Sequence, residues 1–161
     1  MGSGIVNGEL IFPMGKFEAR FPTDRLYAKN HMWARPVVAY DGSSGFDFGF
    51  SAYAVRLLQD VYFLEWTIDA PAPLREKQTM GNIESSKAES ELYAPANGTL
   101  TEFNAVLFKD PSPINVEPYG AGRLFRMNCD AGGFLTPAAY LDYLAGAWKI
   151  AERTIKGQLN D

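Results

Sequence analysis

Few residues in this 161-residue chain can do chemistry, and each narrows the options. Cys129 is the only cysteine, so no disulfide can close within the chain and no thiolate cluster can hold a metal. It sits in Arg126-Met127-Asn128-Cys129, beside a strand-like apolar segment, and reads as a small buried hydrophobe. His31 is the only histidine, which excludes multi-histidine metal sites and any nucleophile scheme with a second imidazole. Its first reading is structural. What remains is Lys87, within Asn82-Ile83-Glu84-Ser85-Ser86-Lys87-Ala88-Glu89-Ser90-Glu91-Leu92-Tyr93-Ala94-Pro95-Ala96-Asn97-Gly98. A lysine on a tight turn between two strands is held in water, away from the body of the protein. A Schiff-base or general-base lysine depends on burial, so Lys87 is a poor candidate for either role. It is well placed to be presented to a modifying enzyme. On pattern alone, however, an exposed turn lysine is ordinarily just solvated surface.

The elements that must position Lys87 read as mainly β. A content of 47% hydrophobic and 21% charged residues allows a proper core, and Gly 15 with Pro 10 implies many turns between short strands. Residues 1–25, rich in Gly, Pro and scattered aromatics, read as an irregular arm. Leu26 to Val38 alternates loosely as a strand, with Pro36 at an edge or strand end. Gly42-Ser43-Ser44-Gly45 is a turn signal, and Phe46, Phe48 and Phe50 resume the alternation. Ser51 is an expected N-cap for a short helix through Leu58. Val61 to Ile68 is a strand broken by Asp69-Ala70-Pro71-Ala72-Pro73. Met80–Ile83 and Glu89–Tyr93 flank the Lys87 turn, Thr99 to Leu107 is a further strand, 109–122 a long loop, and Leu124–Met127 closes the β part. Thr136 and Pro137 then open a helix whose Leu141, Leu144, Trp148, Ala151 and Ile155 form one apolar face. The domain expectation is one unit over 1–161, with an arm at 1–25, a β core at 26–127 and a C-terminal helix at 136–157.

Charge narrows the partners. A formal net charge of -4 and a pI near 5.0, with no run of Lys/Arg, argue against nucleic acid. No apolar run approaches bilayer length and the N-terminus lacks a basic-then-apolar signal pattern, so no membrane partner and a cytoplasmic location are expected.

The Lys87 segment resembles the lipoylation site of the glycine cleavage system H protein family. That family's Glu-Ser-x-Lys-Ala, followed by Ser, Tyr-x-Pro and Gly, is matched by Glu84, Ser85, Lys87, Ala88, Ser90, Tyr93, Pro95 and Gly98. Biotin carriers place methionines on either side of the lysine, where this chain has Ser86 and Ala88. The similarity extends from about Leu26 to Met127. Tyr27-Ala28-Lys29-Asn30-His31-Met32-Trp33 resembles the family's Tyr…His-Glu-Trp strand, and Gly49-Phe50-Ser51-Ala52-Tyr53-Ala54 its strand-to-helix entry. Leu58 to Glu65 and Asn115 to Leu124, with Pro118-Tyr119-Gly120-Ala121-Gly122, match in the same order.

The resemblance implies a barrel-sandwich hybrid of the lipoyl/biotinyl-carrier kind. Two interlocked small sheets would hold the lysine hairpin at one end, with a short internal helix and a C-terminal helix beside it. It implies lipoate attached to Lys87, and recognition of Glu84 and Gly98 by a lipoate ligase or lipoyl transferase. It also implies a carrier rather than an enzyme, with His31, Met32 and Leu57 around the arm. Two departures bear on the cargo. The family's glutamate after the early histidine is Met32 here, and its helix histidine is Leu57. An ammonium withdrawn from water needs an acceptor, and these two side chains offer none. The expectation is therefore an H-like lipoate-binding protein serving a heterodisulfide-reductase-like complex in sulfur oxidation. The alternative is the aminomethyl carrier of the glycine cleavage enzymes. The family's usual glycine before Asp60 is also Gln59 here.

Overall fold

The computed structural model describes residues 5–6, 8–38, 42 and 44–160, with side chains described for 8–38, 42 and 44–153. In chain order the strands are Ile5–Val6 (β1), Glu9–Met14 (β2), Phe17–Pro22 (β3), Leu26–Tyr27 (β4), Met32–Val38 (β5) and Ser44–Phe50 (β6). Helix Ala52–Leu58 (α1) precedes Val61–Trp66 (β7), Ala72–Leu74 (β8), Thr79–Ser85 (β9), Glu89–Tyr93 (β10) and Gly98–Phe103 (β11). Helix Pro113–Val116 (α2), strand Phe125–Cys129 (β12) and helix Pro137–Asn160 (α3) complete the order. The fold is mainly β, as expected.

A six-stranded antiparallel sheet runs β4-β5-β6-β12-β11-β8, and a three-stranded sheet runs β10-β9-β7. Both contribute to one core: Met32, Ala34, Phe48, Phe50, Leu100, Phe125 and Met127 from the first, Val61, Met80, Ile83 and Leu92 from the second. Full burial of each large side chain here contributes roughly 1.5–3 kcal/mol. Pro73 lies in β8, an edge strand of the large sheet, where a missing N–H is tolerated.

The irregular arm expected over residues 1–25 is instead a β-hairpin, β2–β3, extended by β1 into a third sheet. Leu10, Phe12 and Met14 alternate toward the interior, as do Ala19 and Phe21, with Gly15 at φ 64 in the turn. Pro13 hid this alternation. Its position is permissive because β1 pairs only with Glu9 and Leu10, leaving Pro13 outside that ladder. The hairpin closes a second core with Tyr27, Trp33, Tyr53, Tyr140, Leu141 and Leu144. Tyr27 and Tyr140 stack with centroids 4.6 Å apart, and Phe21 meets both edge-on at 5.9 and 5.4 Å.

Three other expectations change in detail. The strand expected over Leu26–Val38 is two strands separated by a turn. There Ala28 N–H donates to Met32 O (2.8 Å) and His31 N–H to Ala28 O (3.0 Å). The strand expected to Leu107 stops at Phe103, because Asn104 caps a short 3-10 turn over Ala105–Phe108. The long loop contains α2, with Pro113 opening it. The C-terminal helix starts as expected, with Thr136 Oγ1 accepting from Ala139 N–H at 3.2 Å. Its buried face begins at Tyr140, ahead of the expected stripe, and the Ile155 side chain lies outside the described residues.

Candidate functional site

Lys87 stands at the tip of the β9–β10 hairpin and is exposed. Its side chain has no hydrogen bond or ion pair among the described residues. The turn beneath it is fixed by local chemistry. Ser85 N–H donates to Ala88 O (2.8 Å), and Ser85 Oγ accepts from Ala88 N–H (3.1 Å) while donating to Ala88 O (3.2 Å). Ser86 reaches sideways to the start of β7. Its N–H donates to Asp60 O (2.9 Å) and its Oγ accepts from Asp60 N–H (3.2 Å). The lysine is therefore without a partner at its amine end among the described residues, and anchored through the turn beneath it.

The matched segments converge on this bracing. Asn115 Oδ1 accepts from Val61 N–H (2.9 Å) and Asn115 Nδ2 donates to Gln59 O, holding the α1–β7 corner. Gln59 caps α1 at φ 61 and ψ -138, a conformation glycine adopts readily and other residues only under strain. Tyr119 O–H donates to Arg20 O (2.7 Å) and accepts from Ala52 N–H (2.8 Å), tying β3 to the start of α1. Trp33 Nε1 donates to Pro118 O (2.8 Å), and the Arg25 guanidinium lies 4.7 Å from the Trp33 ring and 5.3 Å from Tyr119.

Beside the hairpin lies a groove of about 220 Å³. Ile83 and Ser90 border it nearest Lys87, Met32, Phe50 and Leu92 are buried within it, and Leu57 and Leu58 of α1 form a wall. His31, Met32 and Leu57 are thus brought together along one surface. Met32 is 2% exposed and belongs equally to the core, whereas Leu57 is 37% exposed. Sequence reasoning missed one member. Glu91, four residues past Lys87, puts a carboxylate on this groove and accepts from Tyr93 O–H at 2.8 Å. Strand alternation would have put it on the face opposite Ser90 and Leu92, so no sequence signal marked it.

Glu84 pairs across the hairpin with Glu89, like charges directly opposite that cost a few tenths of a kcal/mol. Gly98 lies beyond the far end of β10 from Lys87 and has a packing reason to be glycine. A Cβ there would sit 2.1 Å from Asn128 O. Cys129 is half-buried, and burial pushes its thiol up to about 11, in keeping with an inert side chain. His31 is pulled down to about 4 by burial and is neutral near pH 7. Among the described residues no three His, Cys, Asp or Glu gather to hold a metal, and no helix is long and apolar enough to cross a membrane.

Known proteins place this geometry. The family model described as glycine cleavage H-protein matches residues 25–137. The glycine cleavage system H protein of Beutenbergia cavernae is 39% identical over 126 residues, covering 78% of this chain and 97% of that protein. The H protein of Herpetosiphon aurantiacus is 37% identical over 125 residues, covering 76% and 92%. The crystal structure of a glycine cleavage system H protein from Mycobacterium marinum superposes with a TM-score of 0.65 at 31% identity, covering 79% of this chain and 98% of that one. A braced, exposed lysine hairpin on this two-sheet core, matched over 113 of 161 residues, means that the chain belongs to the glycine cleavage H-protein family of lipoyl carriers.

Proposed function

We propose that the chain carries lipoate in amide linkage to Lys87 Nζ and serves the glycine cleavage enzymes in the cytoplasm as a single-domain carrier, not as an enzyme. The observation that carries this reading is the exposed Lys87 on a hairpin whose base borders an apolar groove. Ile83 and Ser90 stand four and three residues from Lys87, roughly 10–13 Å along the strands. A lysine-linked eight-carbon chain extends on the order of 14 Å by bond counting. The hydrocarbon lining of Met32, Phe50, Leu57 and Leu92 suits such a chain, since acylation removes the ammonium charge that would oppose docking. When bound, the group supplies a disulfide or dithiol that takes up and releases a one-carbon amine. The protein contributes position: a fixed tether raises the local concentration at each partner's site.

Glu91 favours one of the two cargoes weighed from the sequence. The case for sulfur oxidation rested on Met32 and Leu57 leaving an ammonium without an acceptor. Glu91 supplies a carboxylate on the same groove, so an ammonium has a partner there. The relatives named above support the glycine-cleavage alternative as well. Glu84, on the hairpin itself, is the side chain proposed for recognition by the lipoate ligase or lipoyl transferase, and Gly98 keeps the strand beyond it in place.

Glycine–bicarbonate exchange tests this reading. The lipoylated chain, given glycine decarboxylase, is expected to support exchange, and Glu91→Gln to weaken it. No exchange despite full lipoylation would return the case to the sulfur-oxidation cargo, which the apolar side chains at Met32 and Leu57 favour.

A further inference from the structure

A cleft of about 700 Å³ opens at the far end of β10 from Lys87. Tyr93, on its border, is six residues past Lys87, roughly 20 Å along the strand. The cleft shares only Asn30 and Tyr93 with the groove beside the hairpin. Its volume falls within the roughly 300–1,000 Å³ of small-molecule sites. The turn at Glu76 and Lys77 forms one wall, and the loop carrying Asp130, Gly132 and Gly133 forms another.

Neither wall has the residues its backbone alone would select. Lys77 sits at φ 71, a conformation glycine adopts freely and a lysine only under strain. The surroundings hold it there. Lys77 N–H donates to Ala94 O (2.9 Å), Ala94 N–H to Gln78 O (2.8 Å) and Glu76 N–H to Asn97 Oδ1 (2.8 Å). Gly132 and Gly133 are the converse. Neither has a left-handed φ, and a Cβ on either would meet no atom within 4 Å. Backbone geometry and packing therefore leave glycine unrequired at both positions, yet both expose bare main chain to the cleft. Their N–H groups have no hydrogen-bond partner among the described residues. A strained lysine faces unclothed peptide groups, an arrangement that suits close approach by a ligand.

The lining states the chemistry of that ligand. Lys29 and Lys77 supply two ammonium groups, neither of them in an ion pair among the described residues. Ammonium groups and consecutive main-chain N–H groups together make a cradle for a phosphate. Glu76 and Asp130 also line the cleft and would repel a bare anion. Carboxylates only accept, so they suit a ligand that brings hydroxyl groups to them. Phe134 and Tyr143 add ring faces, and Tyr143 is fixed by its hydroxyl donating to Lys29 O at 3.1 Å. We propose that this cleft binds a nucleoside phosphate. The phosphate meets Lys29, Lys77 and the Gly132 and Gly133 amides, the ribose hydroxyls meet Glu76 and Asp130, and the base lies against Phe134 and Tyr143. The site needs neither Lys87 nor its modification, so it stands or falls apart from that reading.

The test titrates adenosine monophosphate into the full, unlipoylated chain, ¹⁵N-labelled at glycine, with adenosine and inorganic phosphate as partial ligands. The nucleotide is expected to shift the Gly132 and Gly133 amide resonances to saturation, with each partial ligand weaker by about tenfold. Lys77→Gly removes the ammonium and the backbone strain together. Its melting temperature should rise by about 2 °C while nucleotide affinity falls about tenfold. Gly133→Ala, which the open space accommodates, should keep its melting temperature and weaken the nucleotide by about threefold. Lys149→Ala removes an exposed cation outside the cleft and should leave the affinity unchanged. A titration that moves neither glycine overturns the proposal. So does inorganic phosphate binding as tightly as the nucleotide, or an affinity indifferent to Lys77→Gly.

Discussion

Two hairpins of nearly equal length do opposite work in this molecule. Of the five residues in β10 only Leu92 is buried, and the tip at Lys87 is held by Ser85, Ser86 and backbone hydrogen bonds. The N-terminal hairpin turns Leu10, Phe12, Met14, Ala19 and Phe21 inward and is anchored by aromatic packing against α3. In the first, β9 buries Met80 and Ile83 while β10 and the tip stay open and present a side chain; the second presents nothing and closes a core. The family match begins at residue 25, so the presenting hairpin lies within it and the packing hairpin does not. The second core nevertheless reaches the presenting side, through Tyr119 on α1 and through His31 on the groove.

The sharpest way to break this contrast is to empty each hairpin in turn. Phe21→Ala is expected to cost about 4 kcal/mol, since a fully buried aromatic ring and its edge-on contacts are lost. Ser90→Ala, on the exposed arm hairpin, should stay within about 0.5 kcal/mol. Urea unfolding of both variants at pH 7 compares them, and equal costs would dissolve the distinction.

A smaller effect comes from His31, where the two regions meet. Its folded pKa, about 4, lies below its ordinary 6.5, so below pH 6.5 the unfolded chain binds more protons than the folded one. Stability is complete above pH 6.5 and falls as pH drops toward 4, by about 3 kcal/mol. Asp24 and Asp110, both held below the usual carboxylate range by hydrogen bonds to Arg25 and Ser112, act only at lower pH. His31→Asn, suited to a positive φ, should flatten the melting temperature over that window. An unchanged slope would remove His31 as its source.

The smallest effect is a gain. Gln59→Gly relieves the strained corner between α1 and β7 and is expected to add about 1 kcal/mol, read as a higher urea midpoint with unchanged slope. A loss would show that the Gln59 side chain, which donates to Arg56 O, outweighs the strain.

The presenting hairpin was legible because its turn chemistry is local: Ser85, Ser86 and Ala88 specify the bend within four residues. Ser51 as a cap and Thr136 before Pro137 were legible for the same reason. The packing hairpin was not, because Pro13 and Pro22 mask a period of two that residues distant in sequence, among them Trp33, Tyr53 and Tyr140, make worth burying. Glu91 was missed as a groove residue because its placement depends on the pairing of β10 with β9, which local sequence does not fix.

Incubating the unmodified chain with lipoate, ATP and a lipoate ligase, then recording intact mass and mapping the modified peptide, tests the central claim most directly. The account predicts a single lipoyl increment on Lys87, absent in Lys87→Arg although that variant folds with unchanged stability. No increment, or one carried by another lysine while Lys87 stays free, would contradict it.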